Sequence, residues 1–368
     1  MLNETMQNET QNGTFPQLSL TSRYICLTYS ILLLVFGTVG NILLVCTVIY
    51  KNVRKGESTC ETQTTVDDGN KVSTRLTGRS KLRKHLFSPA DQLLILLTAS
   101  DLLCLWILVI RYTIDLGIQF DIRTASTVCC KIHVFLSFIC SNVSIALLCV
   151  FAVHRALCIR WPLAAYTWLS RRVITASLIV TVIFITGKHF VLLFVFDVYK
   201  IDGGLYCDAR EPQLLILGHY YFEFATNAVL GYAILIVSNI MLYISVVSKK
   251  RLQSHSHTPF NGQSANQRCI QTGVQASTGR HIARILLIFS ILQLLTSTPF
   301  FVCIELSQLM RWSLVPAEHT FLVYYALLLA MFTNNAINYY VLLCISRQFR
   351  NISKEFWFRL LNHYKTTY

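Results

Sequence analysis

The chain alternates between long apolar runs and polar segments, and seven of the runs are long enough to cross a bilayer. A helix rises about 1.5 Å per residue, so about 20 apolar residues span a hydrocarbon layer of ~30 Å. The pattern therefore predicts an all-α membrane protein, a seven-transmembrane helix bundle over residues 24–345. The seven predicted helices cover residues 24–50, 88–110, 128–155, 173–196, 214–248, 282–309 and 319–345.

A shorter amphipathic pattern follows the seventh run, in residues 346–368. Apolar side chains recur there at helical spacing, with basic residues between them. We expect an eighth helix that lies in the inner interface of the membrane and buries its aromatic side chains in lipid. The apolar positions of this helix are Phe349, Ile352, Phe356, Trp357 and Leu360.

Composition and charge agree with this topology. The 368 residues are 54% apolar and only 14% charged, which is typical of a polytopic membrane protein. Of the 32 Lys and Arg residues, 24 lie in segments 51–86, 155–172, 249–284 and 346–368. The positive-inside rule places these segments in the cytosol, with the N-terminus outside the plasma membrane. The net charge of +14 then reflects basic loops at an anionic leaflet, and no nucleic-acid partner is expected.

Three polar segments connect or precede the helices. Residues 1–23 are predicted to form an extracellular arm without a signal peptide, glycosylated at the sequons of Asn3, Asn8 and Asn12. Residues 51–86 form an unusually long first cytoplasmic loop, and residues 249–281 a similar third one. We expect both loops to be solvated connectors that lack regular structure.

A carboxylate, Asp101, lies in the middle of the second apolar run. A charge at that depth costs about 2.5–3.5 kcal/mol on insertion scales, so it needs a partner. Four polar residues at similar depth could supply one, and the cluster is either a conformational switch, which we favour, or a static network. These residues are Asn41, Ser144, Asn334 and Asn338.

Thirteen cysteines are too few for a disulfide scaffold in a chain of this length. Three are predicted to lie at or near the outer side, namely Cys129, Cys130 and Cys207. A bond from the top of the third helix to the loop after the fourth is expected, but spacing alone leaves the choice between the adjacent pair open.

Five motifs occur in order along the predicted helices. They are Gly40-Asn41, the Ala-Ser-Asp-Leu-Leu run ending at Leu103, the His154-Arg155-Ala156 segment with Pro162 downstream, Pro299, and the Asn334-Asn335-Ala-Ile-Asn338-Tyr339 run. Together they resemble the signatures of rhodopsin-like (class A) G-protein-coupled receptors over roughly residues 24–360. The resemblance implies a receptor that passes an extracellular signal to a heterotrimeric G protein.

The resemblance also implies roles for individual residues. Asp101 and its polar neighbours match the family's sodium and water site, with the ion at Asp101 and Ser144; no other cofactor is expected. Cys130 and Cys207 match the extracellular disulfide. Arg155, flanked by His154 and Ala156 and followed by Pro162, matches the G-protein contact. Pro299 matches the hinge of the sixth helix.

Several positions depart from the family pattern. His154 replaces the usual acid and Ala156 the usual tyrosine, and Tyr339 replaces the proline after Asn338. A neutral histidine cannot hold Arg155 as a carboxylate would. We therefore hypothesise a weakened inactive state and raised basal signalling.

The ligand pocket is expected to open outward between the third, fifth, sixth and seventh helices. It is rich in aromatic side chains and has acidic rims, which suits a basic, aromatic peptide and disfavours a monoamine. This combination resembles neuropeptide receptors, invertebrate ones in particular. Lys188 and His189, high in the fourth helix, are positioned to reach an anionic group, although for Lys188 we favour snorkelling to the lipid interface. The predicted pocket residues are Ser137, Phe138, Ser141, Tyr220, Glu223, Phe300, Phe301, Ile304, Glu305, Tyr324 and Leu328.

Other functional classes fit the sequence less well. A transporter is expected to have repeated halves with broken helices, and a channel a selectivity loop or a charged ring. Neither pattern is visible, and the ten histidines provide no metal-ligand spacing or nucleophile–base pair that would indicate an enzyme. The alternative within the same fold is a divergent receptor that is constitutively active or an orphan.

Overall fold

The computed structural model describes residues 18–61, 88–161, 164–165, 169–201, 204–209, 213–255, 287–306 and 319–367. Side chains are not described at 55–61, 89, 201, 213–217, 246–255, 304–306 and 363–367. The predicted glycosylation sites, most of the first and third cytoplasmic loops, and Pro162 lie outside the described residues.

Eight helices are described in this part of the chain. Three of them contain a wider π-helical segment, and α4 is extended by a short helix, Leu192–Val195. The helices are α1 (Leu20–Glu61), α2 (Pro89–Cys104, Leu105–Val109 and Ile110–Ile118), α3 (Thr127–Arg160), α4 (Arg171–His189), α5 (Gln213–Phe224, Ala225–Gly231 and Tyr232–His255), α6 (Leu287–Cys303, with the π-helix Phe301–Leu306), α7 (Thr320–Ile345) and α8 (Arg347–Thr367).

Six of these helices are long and apolar enough to cross a membrane, and the described part of α6 is a shorter apolar helix. They match the seven predicted spans in order, so the predicted helical bundle is confirmed. Several helices are longer than expected. α1 continues to Glu61 and α5 to His255, each into a segment predicted to be an unstructured loop. α2 continues to Ile118 rather than ending near residue 110, and α3 continues to Arg160 rather than ending near residue 155.

The helices pack around α3, which contacts α2, α4 and α5, while α1 contacts α2, α7 and α8. The third helix buries several polar residues, including Asn142 and Ser144, as its central position requires. Where α1 meets α7, a Cβ on Gly37 would lie 2.9 Å from the Cβ of Ala336, closer than real contacts allow. Glycine therefore permits the two helices to approach closely.

α2 and α5 each contain a π-helical segment that has no proline in it. Such segments place one extra residue in a turn and are a known cause of kinks. In α6 the π-helix Phe301–Leu306 begins two residues after Pro299. The predicted hinge position therefore coincides with irregular helix geometry.

A two-stranded hairpin is the one element class that the sequence did not predict within the described residues. Strand β1 (Phe196–Ile201) pairs antiparallel with β2 (Gly204–Ala209), and Val198 lies opposite Cys207. A disulfide joins Cys207 to Cys130 in the first turns of α3, which confirms the predicted bond and resolves the choice between the adjacent cysteines. Cys129 is a free thiol.

Candidate functional site

Asp101 lies at the centre of a closed polar network between α2, α3 and α7. Its side chain is fully buried. Ser144 donates a hydrogen bond to its Oδ1 at 2.6 Å, Asn335 donates to the same oxygen at 2.7 Å, and Asn338 donates to Oδ2 at 2.6 Å. Three donors therefore compensate for the water that the carboxylate has lost.

The α7 residue beside Asn338 is Asn335, whereas the sequence analysis had placed Asn334 in the network. Asn334 is buried too, but its Oδ1 has no hydrogen-bond partner. Both residues lie within one turn of Asn338, so spacing cannot choose between them, and the rotation of α7 decides. Asn41 of α1 adjoins the network because its Nδ2 donates to the backbone oxygen of Asn335 at 2.9 Å.

The chemistry of these groups fits the sodium ion that the family resemblance implies. A carboxylate offers about four lone-pair sites, and three are used here. Ser144 Oγ lies against the carboxylate, and Asn41, which adjoins the network, has a buried side-chain oxygen without a hydrogen-bond partner. Such oxygens are the ligands that a hard cation or a water molecule needs.

The cytoplasmic end of α3 carries the predicted coupling residues. Arg155 lies with its guanidinium carbon 5.6 Å from the ring centre of Phe151, and its Nε has no hydrogen-bond partner. Among the described residues it forms no ion pair. The neighbouring His154 and Ala156 are buried, and His154 Nε2 lies 4.0 Å from the sulfur of Cys158.

Polar residues replace the usual aromatic ones in α6. Ser297 is fully buried, accepts a hydrogen bond from Tyr232 of α5 at 2.6 Å, and donates to the backbone oxygen of Gln293. Phe301 packs edge-on against the same Tyr232, with ring centres 5.7 Å apart. Tyr232 of α5 thus contacts α6 on both sides of Pro299, through a hydrogen bond at Ser297 and ring packing at Phe301.

Tyr339, the residue that replaces the family's proline, joins α7 to α8. Its hydroxyl lies 3.0 Å from that of Ser353, and both residues are buried. Its ring also packs against Phe349 at 5.8 Å. Arg350 donates to the last backbone oxygens of α7, those of Leu343 and Cys344. The eighth helix is therefore attached to the bundle by specific contacts.

Aromatic side chains of the predicted pocket meet at the outer ends of α2, α6 and α7. The ring of Tyr324 lies 6.0 Å from that of Phe300, and its hydroxyl lies 3.2 Å from that of Tyr112. Tyr325 donates to the carboxylate of Asp115 at 2.6 Å. Leu328 is buried below them, while the side chains of Ile304 and Glu305 lie outside the described part.

Two ion pairs with a shared carboxylate lie at the outer end of α2. Asp121, just beyond α2, pairs with Arg111 at 3.0 Å and with Arg123 at 2.6 Å. Burial disfavours the Asp121 carboxylate, but hydrogen bonds and charge from the two arginines outweigh it and hold its pKa well below the usual range. This acid is therefore already neutralised by its own chain.

Two other predicted pocket residues, Glu223 and Phe138, belong to a second, polar cluster between α3, α4 and α5. Glu223 is 7% exposed and forms an ion pair with Lys188 at 2.6 Å, while Asn142 donates to it at 2.7 Å. Two predictions are therefore wrong. Lys188 does not snorkel to lipid, since its side chain is 2% exposed; it reaches an anionic group, the alternative that the sequence left open. Glu223 is that group and is not a free acidic rim. The physical reason is that each buried charge needs a partner, and the adjacent helix supplies it.

The same cluster contains two histidines: His189, which the sequence analysis named beside Lys188, and His219, which it did not single out. His189 Nδ1 lies 3.0 Å from His219 Nε2, and the ring of Phe138 packs against both, with centres 5.3 and 5.5 Å apart. The four-residue spacing of His219 and Glu223 on α5 was the available signal, and the sequence analysis overlooked it when it found no metal-ligand spacing among the histidines. Ser137 instead bonds to the backbone of His133 at 2.7 Å, and Tyr220 packs near His219 at 6.0 Å. Ser141 is half-buried.

Comparison with known proteins agrees with this geometry. No curated protein matches the chain. The sequence profile described as "7 transmembrane receptor (rhodopsin family)" matches residues 80–339, which is well over half of the chain and includes α2 to most of α7. This family consists of receptors rather than enzymes, and its match covers the residues that surround Asp101. The chain is a multi-pass membrane protein that belongs to the rhodopsin family of seven-transmembrane receptors.

Proposed function

We propose that this receptor resides in the plasma membrane, binds an extracellular peptide and activates a heterotrimeric G protein. Family membership supports the receptor class. The observation that carries the mechanism is the closed network at Asp101, because it joins three helices through one buried charge. The basic segments support an orientation with the N-terminal arm outside and α8 in the cytosol.

The network can act as a switch because its bonds are discrete. The donors from α7, Asn335 and Asn338, point at the two oxygens of one carboxylate. A shift of α7 past α2 must exchange these donors rather than stretch them, so the helices settle in alternative arrangements. A sodium ion bound by Asp101 and Ser144 would supply a positive counter-charge that favours one of these arrangements.

Arg155 is proposed to contact the G protein at the cytoplasmic end of α3. A guanidinium presents five donors and suits the backbone oxygens at the end of a partner helix. Its Nε is buried and makes no hydrogen bond to another described residue, so a partner that inserts at this end of α3 would supply the missing acceptor.

The peptide ligand is proposed from the chemistry of the outer pocket. Phe300, Tyr112 and Tyr324 provide aromatic faces, which attract cations and aromatic side chains. Asp115 remains as an acid at the outer end of α2, whereas Glu223 and Asp121 are paired with residues of the chain. A small basic peptide with aromatic residues fits this set better than a monoamine.

The test is a panel of amidated peptides applied to cells that express the chain, with calcium and cyclic AMP as readouts. We expect a saturable response that Arg155→Ala abolishes while binding of labelled peptide persists. Surface-labelled chain provides the control for expression. Substrate uptake or ion current that does not depend on a G protein would contradict the proposal.

A second candidate is a receptor with high basal activity, favoured by the state of Arg155. No described carboxylate pairs with this arginine, and the adjacent His154 is buried beside Cys158. His154→Asp introduces an acid that can hold Arg155, so we expect basal signalling to fall several-fold. Unchanged basal signalling in a variant that still responds to peptide would contradict a weakened inactive state.

A further inference from the structure

Two histidines and one glutamate meet near the outer ends of α4 and α5. One ligand atom from each of His189, His219 and Glu223 can be chosen so that all three lie within 4.8 Å of one another. The residues are 0%, 8% and 7% exposed, respectively. Two imidazoles and one carboxylate are a ligand set that zinc sites use with a fourth position left open.

The secondary structure places these three groups together. His219 and Glu223 are four residues apart in Gln213–Phe224, so they project from one face of α5, one turn apart. His189 is the last residue of α4, which packs beside them. Because both elements are helices, the positions of the ligands are set by rigid backbone rather than by a loop.

One imidazole nitrogen in the cluster lacks a hydrogen-bond partner. His189 Nε2 is buried and makes no hydrogen bond, and it lies 3.6 Å from Oε2 of Glu223. Two ligands at about 2.0–2.1 Å from a tetrahedral zinc ion are about 3.3 Å apart. The observed distance between His189 Nε2 and Glu223 Oε2 is thus close to the distance between two ligands of one zinc ion. His219 Nε2 now faces His189 Nδ1, and its ring must turn away to join the other two ligands.

The positive charge of Lys188 disfavours the binding of a metal ion to this cluster. Its ammonium lies 2.6 Å from Glu223 Oε2, and it also donates to Asn142 at 2.7 Å and to Thr226 at 3.0 Å. The second oxygen of Glu223 accepts hydrogen bonds from Asn142 at 2.7 Å and from Asn227. Lys188 therefore keeps two neutral acceptors when Glu223 turns to a metal, while its charge weakens the binding of any cation.

We propose that His189, His219 and Glu223 form a Zn²⁺ site that joins α4 to α5 and that Lys188 limits its affinity. The site goes beyond the proposed receptor function and does not depend on which ligand activates the chain. Zinc suits it because borderline-soft nitrogen ligands and one carboxylate are combined without sulfur.

The experiment uses the full chain in lipid nanodiscs, with Zn²⁺ alone as the probe. Zinc affinity is measured from the rise in unfolding temperature during titration, after removal of metal with EDTA. His219→Ala and Glu223→Gln are expected to weaken zinc binding by more than about 100-fold. Loss of a group that only hydrogen-bonds to a metal ligand typically weakens metal binding by about 10–100-fold. Lys188→Met is expected to strengthen it at least several-fold, because a repelling charge is removed.

A matched control separates this site from adventitious binding by other histidines. His133→Ala removes a half-buried imidazole of α3 that bonds to the backbone of Ile107 and lies outside the cluster. It should leave zinc affinity unchanged. The proposal is overturned if wild-type chain shows no zinc-dependent rise, or if the rise survives in both ligand variants.

Co²⁺ bound to the wild-type chain gives a reading that does not depend on how the variants fold. A visible absorption spectrum typical of tetrahedral Co²⁺ with nitrogen and oxygen ligands supports the proposal. Thiolate-to-cobalt bands would place the ion at cysteines instead, and a six-coordinate spectrum would indicate a weakly held, hydrated ion. Either of these two results overturns the assignment.

Discussion

Asp101 carries a charge that is tolerable only because three side chains donate to it. Ser144 and Asn335 share one carboxylate oxygen, and Asn338 holds the other. A donor left without an acceptor at this depth costs about 1–3 kcal/mol. The residue thus stabilises the bundle and, as proposed, provides its switch.

Asp101→Asn is expected to lower the unfolding temperature clearly. The new amide has one acceptor oxygen and brings two further donors, so at least one of the three surrounding donors loses its partner. The measurement is thermal unfolding of the full chain in detergent or nanodiscs.

Asp115→Asn is the control on the same helix. Asp115 is half-buried and accepts a hydrogen bond from Tyr325, and an amide oxygen can accept that bond too. If both variants lower the unfolding temperature equally, the hydrogen bonds to Asp101 do not stabilise the bundle more than the single bond to Asp115, which contradicts the prediction.

At the level of elements, one disulfide attaches the β1–β2 hairpin to α3. The bond between Cys130 and Cys207 closes a segment of 77 residues. Without it, two strands are too few to hold a fixed position by their own pairing. The hairpin therefore depends on the bond for its place above the bundle.

Cys130→Ser is expected to cost about 2–5 kcal/mol of stability, the range for removal of a native disulfide. The unfolding temperature and the amount of chain at the cell surface should both fall. Cys129→Ser changes the adjacent free thiol and should have little effect. Equal losses in the two variants would mean that the pairing is wrong.

The contact of α7 with α8 includes the hydroxyl of Tyr339, a group that a proline at this position would lack. Tyr339→Phe keeps the ring against Phe349 and removes only the bond to Ser353. We expect a loss of about 0.5–1.5 kcal/mol, measured by thermal unfolding.

Tyr340→Phe is its matched control. The neighbouring hydroxyl donates to the backbone of Phe36 at 3.0 Å but at an exposed position, so its loss should cost less. A larger effect at Tyr340 than at Tyr339 would contradict a specific attachment of α8.

At the level of the whole molecule, the helix count and the basic loops predict the orientation. An odd number of spans places the two termini on opposite sides of the membrane. Epitope tags should therefore be accessible outside intact cells at the N-terminus, and only after permeabilisation at the C-terminus. Detection of both tags on the same side would contradict the seven-helix topology.

Sequence reasoning was strongest where a single physical requirement sets the pattern. Apolar length predicted the six long helices and the described part of α6, and the cost of a mid-membrane charge identified Asp101 before any contact was known. It was weakest for contacts between side chains of different helices. Nothing in the local pattern around Lys188 or Glu223 shows that α4 and α5 bring them to 2.6 Å. Periodicity also allowed Asn334 and Asn335 equally, until the rotation of α7 chose one.

By itself the sequence determined the seven apolar helices, the amphipathic eighth helix and the burial of one carboxylate, because each follows from the solvation of a single segment in lipid or water. The tertiary structure decided which groups meet: the donors to Asp101, the partner of Cys130, and the ion pair that removes Glu223 from the ligand pocket. These contacts depend on how helices rotate and pack against one another, and a local sequence pattern does not specify the distances between separate segments.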